Sequence, residues 1–276
     1  MRVATLGSGS RGNSVLVQSD HTSILIDAGF SGTEIARRLG VLEVAPEAVD
    51  AIVVTHEHRD HTSGIGVAAR RWGWPLYLTR DTAAACGSLL RGAETVVFYE
   101  GEASFGIGDL LVHPCSTCHD AADPVAITVT HGASGLKVGV ATDLGRATAP
   151  VRSALSGSHF LVLESNHDEA LLRESPYPWS IVQRIGGSRG HLSNRLAAEF
   201  AADLMHADLG GILLAHLSVE CNDPVRARAA VERRLRRTGF RGLLEVASQD
   251  RPSAWFEVGG LVSVARNGGP QLTLFG

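Results

Sequence analysis

The densest chemistry in the chain is the segment Thr55-His56-Glu57-His58-Arg59-Asp60-His61. His56, His58, Asp60 and His61 place four metal-ligating side chains within six residues, directly after the apolar run 51–54. Three imidazoles and a carboxylate this close repel one another when protonated, but they suit one or two divalent cations. Strand ends in α/β folds open onto ligand crevices, so a cluster just past an apolar strand is well placed to meet a substrate. Further candidates stand where other apolar runs end: His119 in Cys118-His119-Asp120, Asp143 in Ala141-Thr142-Asp143-Leu144-Gly145, and His216 in Leu213-Leu214-Ala215-His216. Glu164 closes the apolar run 160–163, and His191 opens the segment ahead of a predicted helix. A set of imidazoles and carboxylates without thiolate suits Zn or Mn equally by ligand type.

These residues need a scaffold of many short strands with helices between them. Apolar and β-branched runs predict strands at 3–6, 14–18, 23–27, 51–55, 74–78, 95–99, 109–114, 125–130, 136–141, 160–164 and 211–214. Helical patterning predicts helices at 33–39, 62–72, about 81–90, 195–205 and 224–237, with 173–195 as the least regular stretch. Strands grouped in each half, with helices interspersed, point to two sheets sandwiched between helices rather than one parallel sheet.

Composition narrows the function classes. The chain has 276 residues, 44% hydrophobic and 20% charged, enough apolar material for a large core and too much for a disordered chain. Its net charge of −4 argues against a globally basic protein that coats nucleic acid, while leaving local basic patches open. Lys137 is the only lysine and the remaining basic residues are arginine, several of them crowded at 226–237. That stretch reads either as a solvated helix face or as a track that neutralises phosphates. The sequence has no apolar run of 18 residues and no signal-peptide pattern at its start, which predicts a cytoplasmic protein with no membrane association. Four sparse cysteines fit a reducing compartment.

Two motifs invite other readings. Gly7-x-Gly9-x-x-Gly12 spells a dinucleotide fingerprint, but Ser14-Val15-Leu16-Val17-Gln18 after it is strand-like, so no helix N-terminus would receive a pyrophosphate. A tight turn between two strands explains the glycines, and no NAD is expected. Cys115-Ser116-Thr117-Cys118-His119 spells a haem-attachment motif. Covalent haem requires export, and His119 is wanted as a metal ligand, so no haem is expected either.

Taken together, these residues resemble the metallo-β-lactamase-fold hydrolases, whose signature is His-x-His-x-Asp-His, and the resemblance runs from Gly7 to His216. Within that superfamily the chain is most similar to the WalJ (YycJ) group. The blocks that carry this are Gly7-Ser8-Gly9-Ser10-Arg11-Gly12-Asn13, Ile26-Asp27-Ala28-Gly29, Glu164-Ser165-Asn166-His167-Asp168, Tyr177-Pro178-Trp179-Ser180, Gly190-His191-Leu192-Ser193-Asn194 and Ala215-His216-Leu217-Ser218.

The resemblance implies an αββα sandwich, as a single domain over residues 1–276, that binds two divalent ions, Zn or Mn. His56, His58 and His119 would hold one ion and Asp60, His61 and His216 the other, with Asp143 bridging. Two such cations roughly 3.5–4 Å apart hold a bridging hydroxide and clamp the attacking and leaving oxygens of a phosphodiester. Asp60, Glu164 and His191 would then be catalytic, and His167, Asn194 and Ser218 would face the substrate. In tRNase Z-like relatives a similar Glu and His form an acid–base pair. On that basis Glu164 acts only through the orientation and pKa of His191, which donates a proton to the leaving oxygen or stabilises the phosphate. The implied activity is DNA 5′→3′ exonuclease. Alternatives are hydrolysis of RNA, of a small or cyclic phosphodiester, of a β-lactam or thioester, or a non-catalytic signalling role.

Overall fold

The computed structural model describes residues 1–268. In class the protein is α/β, with two mixed sheets and flanking helices, the αββα type expected. Its contacts divide it into two compact units. The first comprises Met1–Ser116, Ala121–Gly135 and Ser248–Phe256; the second comprises Thr117–Asp120, Leu136–Ala247 and the residues from Glu257 on.

In the first unit, β1 (Arg2–Gly7), β2 (Ser14–Gln18), β3 (Ser23–Ile26), β4 (Ala51–Val53), β5 (Leu76–Leu78) and β6 (Val96–Phe98) lie side by side in that order. β1, β2 and β3 run antiparallel, and β3 to β6 run parallel. The glycine turn at 7–13 therefore joins two hairpin strands. Gly12 is needed there because a Cβ would sit 2.5 Å from the Phe30 ring. α1 (Gly32–Val41) is capped by Ser31, whose hydroxyl accepts from the Glu34 N–H. Its Ile35 and Leu39 enter a core shared with Leu6, Leu25, Ile52 and Trp74.

One helix was predicted at 62–72; the chain makes two, α2 (Arg59–Thr62) and α3 (Ile65–Trp72). The break falls at Gly64, where a Cβ would lie 2.0 Å from the Phe30 carbonyl oxygen. α4 (Arg80–Cys86) follows β5. β7 (Phe105–Ile107), β8 (Leu110–Ser116) and β9 (Val125–His131) then form an antiparallel meander.

The second unit carries the parallel strands β10 (Lys137–Ala141), β11 (Phe160–Glu164), β12 (Gly211–Ala215) and β13 (Leu243–Val246). Every residue of β11 and β12 is buried, as a strand covered on both faces requires. Around them lie α5 (Ala149–Leu155), α6 (Glu169–Glu174), α7 (Trp179–Ile185), α8 (Asn194–Asp203) and α9 (Pro224–Leu235); β14 (Phe256–Glu257) leads into α10 (Val258–Arg266). The stretch expected to be irregular contains α7, whose Val182 and Ile185 pack on Leu172 and Cys221. That packing, not a long amphipathic pattern, makes the seven-residue helix.

Candidate metal centre and acid–base pair

The first unit gathers His56, His58, Asp60 and His61 in one turn beyond β4. Thr62 closes the turn by donating its hydroxyl to the carbonyls of Glu57 and His58. Asn13 fixes it from the other side, its backbone N–H on the Asp60 carbonyl at 2.7 Å and its carboxamide on the Asp60 carboxylate at 3.2 Å. Gly29 lets this turn approach, because a Cβ there would be 1.7 Å from the Asp60 carbonyl oxygen. The His56 ring lies 4.7 Å from that of His58 and 4.2 Å from that of His61, centre to centre. Glu57, the carboxylate inside the motif, turns away and accepts from the Ala122 N–H.

Beneath this cluster sits Asp27, at the end of β3, in the left-handed region at φ 62° and 3% exposed. It accepts from the Thr55 N–H and hydroxyl, both at 2.8 Å, and from His61 Nδ1 at 2.7 Å. Because the Thr55 hydroxyl donates to Asp27, its oxygen is the acceptor for His56 Nδ1, 2.9 Å away. Both imidazoles are thus protonated at Nδ1, which makes Nε2 the nitrogen with the lone pair. Anchoring one ring nitrogen in this way fixes the tautomer and orientation of a metal-binding histidine.

The second unit repeats the arrangement with partners far apart in sequence. His119 donates Nδ1–H to the Gly190 carbonyl at 3.0 Å, and its Nε2 is 3.6 Å from the Asp143 carboxylate. Asp143 follows β10 and His216 follows β12, and both are in the left-handed region, at φ 58° and 56°. Non-glycine residues adopt that backbone at a cost and cluster at functional sites.

Glu164, the last residue of β11, is 0% exposed and is the hub. Its carboxylate accepts from His191 Nδ1 at 2.9 Å and from His216 Nδ1 at 3.0 Å. It also accepts the backbone N–H groups of Asp143, Leu144 and Leu192 at 3.1, 3.0 and 2.8 Å. Burial pushes the carboxyl up, but the His191 charge and the hydrogen bonds from His191 and His216 overcome this and hold it ionised, below the usual range. Burial pushes His191 down, and the Glu164 charge and hydrogen bond overcome that too, so its pKa is raised. His119 is lowered, chiefly by burial, which favours the neutral imidazole a metal needs.

This geometry corrects the narrower expectation for Glu164. It orients His191, and it also anchors His216 and ties down the backbone around Asp143. The three residues expected to face the substrate have the following partners and burial. Asn194 is 3% exposed, and its carboxamide accepts from the Ser165 hydroxyl and exchanges hydrogen bonds with Asn222, so it braces the scaffold. The Ser218 hydroxyl accepts from the Cys221 N–H. His167 is 3% exposed, and burial lowers its pKa.

Asp27, Asn13 and Gly190 had no assigned role in the sequence. A polar residue ending an apolar strand, the signal that found Asp143, also marks Asp27. The four cysteines are free thiols, and Cys118 Sγ accepts from Arg146 Nε.

In donor type, the imidazoles and carboxylates of these clusters, with no thiolate among them, suit a divalent cation. Residues 7–142 match the Metallo-beta-lactamase superfamily. The chain is 35% identical to the exodeoxyribonuclease YycJ of Bacillus anthracis over 243 residues, 87% of this chain and 91% of that protein. It is 32% identical to the exodeoxyribonuclease WalJ of Streptococcus pneumoniae serotype 2 (strain D39) over 226 residues, 80% of this chain and 83% of the other. Among solved structures, the metallo-beta-lactamase fold protein YhfI of Bacillus subtilis aligns with a TM-score of 0.69 at 19% identity, covering 91% of this chain and 98% of YhfI. The short form of human tRNase Z aligns at 0.63 and 16%, covering 92% and 99%. Sequence relatives of this length and identity, on a shared fold, place the chain in the metallo-β-lactamase superfamily, among the YycJ and WalJ proteins.

Proposed function

We propose that this protein is a metal-dependent phosphodiesterase that degrades DNA from a 5′ end, working as a single domain. The observation that carries the reading is the Glu164 hub, which holds a candidate metal ligand, His216, and a raised-pKa imidazole, His191, on one carboxylate. The exodeoxyribonuclease names of the YycJ and WalJ relatives support the choice of DNA. In this reading His56, His58 and His119 hold one divalent ion, Asp60, His61 and His216 hold a second, and Asp143 is shared; Zn and Mn fit these donors equally. The bound ions supply Lewis-acid polarisation of the phosphate and an acidified water.

The chain's own groups do the rest. Asp27 and Glu164 anchor Nδ1 of His61 and His216, which fixes the tautomer and leaves the lone pair on Nε2. Asn13 holds the Asp60 carboxylate in place. His191, the more exposed member of its pair at 18% against 0% for Glu164, carries the proton that the departing 3′ oxygen needs. A positioned acid of this kind contributes roughly 10²–10⁴-fold to a step whose leaving group is a poor one.

The test is a side-by-side assay of protein reconstituted with Zn or Mn. The substrates are 5′-labelled and 3′-labelled DNA, the same RNA sequences, and bis-p-nitrophenyl phosphate. The expected result is early release of the 5′ label as a mononucleotide while the 3′ label passes down a ladder. A shortening ladder that retains the 5′ label overturns the polarity. Turnover of the small diester alone makes the protein a small-molecule phosphodiesterase.

A further inference from the structure

The second unit contains a cavity of about 450 Å³ lined by α6, α8 and α9 and lying outside the histidine–carboxylate clusters. Arginines dominate its wall: Arg173, Arg195, Arg233, Arg234 and Arg237. Its acids are already engaged. Asp168 caps α6 through the Ala170 and Leu171 N–H groups, and Glu169 and Glu199 both pair with Arg195. Among the described residues, Arg173, Arg233, Arg234 and Arg237 have no carboxylate within ion-pair distance.

The contrast along α9 is informative. The arginines that do not line the cavity each have a carboxylate: Arg226 with Asp223, Arg228 with Glu245, and Arg236 with Glu232. Five guanidinium groups against three carboxylates leave the groove with an excess of positive charge, which an anion would offset. Ala170, Ala198 and Ala230 leave room between the charged walls.

We propose that this groove binds the sugar–phosphate backbone of the nucleic acid a few nucleotides from the reacting phosphate. The inference rests on the nuclease reading above and deepens it. Asp168 is four residues from Glu164, and Arg195 is four residues from His191. The near edge of the groove is therefore within roughly 14 Å of the acid–base pair, the most that four residues can span. At about 3.4 Å of axis per phosphate on one strand, that is at most about four nucleotides. A strand longer than that reaches the groove from the reacting phosphate, whereas bis-p-nitrophenyl phosphate, with its single phosphate, does not run along it.

The test compares Arg233→Gln/Arg234→Gln/Arg237→Gln with the wild type on an oligonucleotide of about 20 nucleotides, a trinucleotide and bis-p-nitrophenyl phosphate, over a range of salt. Arg226→Gln/Arg236→Gln, on the same helix but off the groove, is the control. The expected result for the triple variant is a fall of about tenfold or more in kcat/KM on the long substrate. The small diester should be unchanged, which also reports an intact fold, and the trinucleotide should lose less than the long substrate. The slope of log kcat/KM against log salt should flatten by about 2, near 0.7 for each of three phosphates on a single strand. Unchanged kinetics of the triple variant on a long substrate that the wild type degrades would overturn the groove alone. So would equal losses on long and short substrates, or an equal loss in the control. A wild type that turns over the small diester and no oligonucleotide would overturn the nuclease reading, and the groove with it.

Discussion

The two units solve the same problem differently. Each places a buried carboxylate under a set of histidines, Asp27 in the first and Glu164 in the second. Asp27 holds one imidazole directly and a second through Thr55, and every group that donates to its carboxylate belongs to the segment 55–61. Glu164 holds a candidate ligand and the candidate proton donor on the same oxygen, together with three backbone amides. In the proposed reading the first hub tunes metal affinity, while the second couples metal affinity to acid catalysis. Damage to Asp27 should look the same with every substrate; damage around Glu164 should depend on the leaving group.

The largest effect should come from Glu164→Gln. The new NH₂ must face a donor, because all five groups around the carboxylate donate, and leaving buried donors without acceptors costs about 1–3 kcal/mol. Thermal unfolding should show that loss, and metal analysis should show weakened binding. Hydrolysis should fall more than in His191→Ala on DNA and on bis-p-nitrophenyl phosphate alike. Retained metal together with a loss confined to DNA would confine Glu164 to His191 and undo the coupling.

His191→Ala comes next. DNA cleavage should drop roughly 10²–10⁴-fold with both metals bound, whereas bis-p-nitrophenyl phosphate, whose leaving group is already a stable anion, should lose little. Loss of metal in this variant would make His191 a ligand rather than an acid.

Asp27→Asn should cost less and without discrimination. Asparagine tolerates the left-handed backbone at this position, so the fold should hold. Loss of an anchoring carboxylate typically lowers metal affinity or activity about 10–100-fold. Equal losses on DNA and the small diester at limiting metal, recovered by excess metal, are the expected pattern; a larger loss on DNA would erase the distinction between the hubs. The smallest effect should be that of Cys115→Ser with Cys118→Ser, which should leave metal content and rate nearly unchanged. One missing metal equivalent would bring a thiolate into the centre.

The sequence by itself determined the ligand turn of the first unit. His56, His58, Asp60 and His61 are held by one turn of chain, so spacing alone places them together. It also marked the dispersed candidates, because each stands at the end of an apolar run and parallel strands present those ends on one side of a sheet. The αββα class followed from the same alternation of runs. Residue type and spacing could not say who touches whom. Glu164 lies in register with Ala215 across β11 and β12, so the next residue, His216, reaches its carboxylate; that pairing is a property of strand register across fifty residues. Likewise α7 has too short a pattern to be read without the Leu172–Cys221 patch it covers, and the Asn194 carboxamide looks like a contact for substrate until Ser165 and Asn222 enclose it. Which arginines of α9 are compensated and which are not also appeared only once α6, α8 and β13 supplied or withheld their carboxylates. Local chemistry is encoded locally; the sharing of one buried charge among distant groups is decided by the packing that buries it.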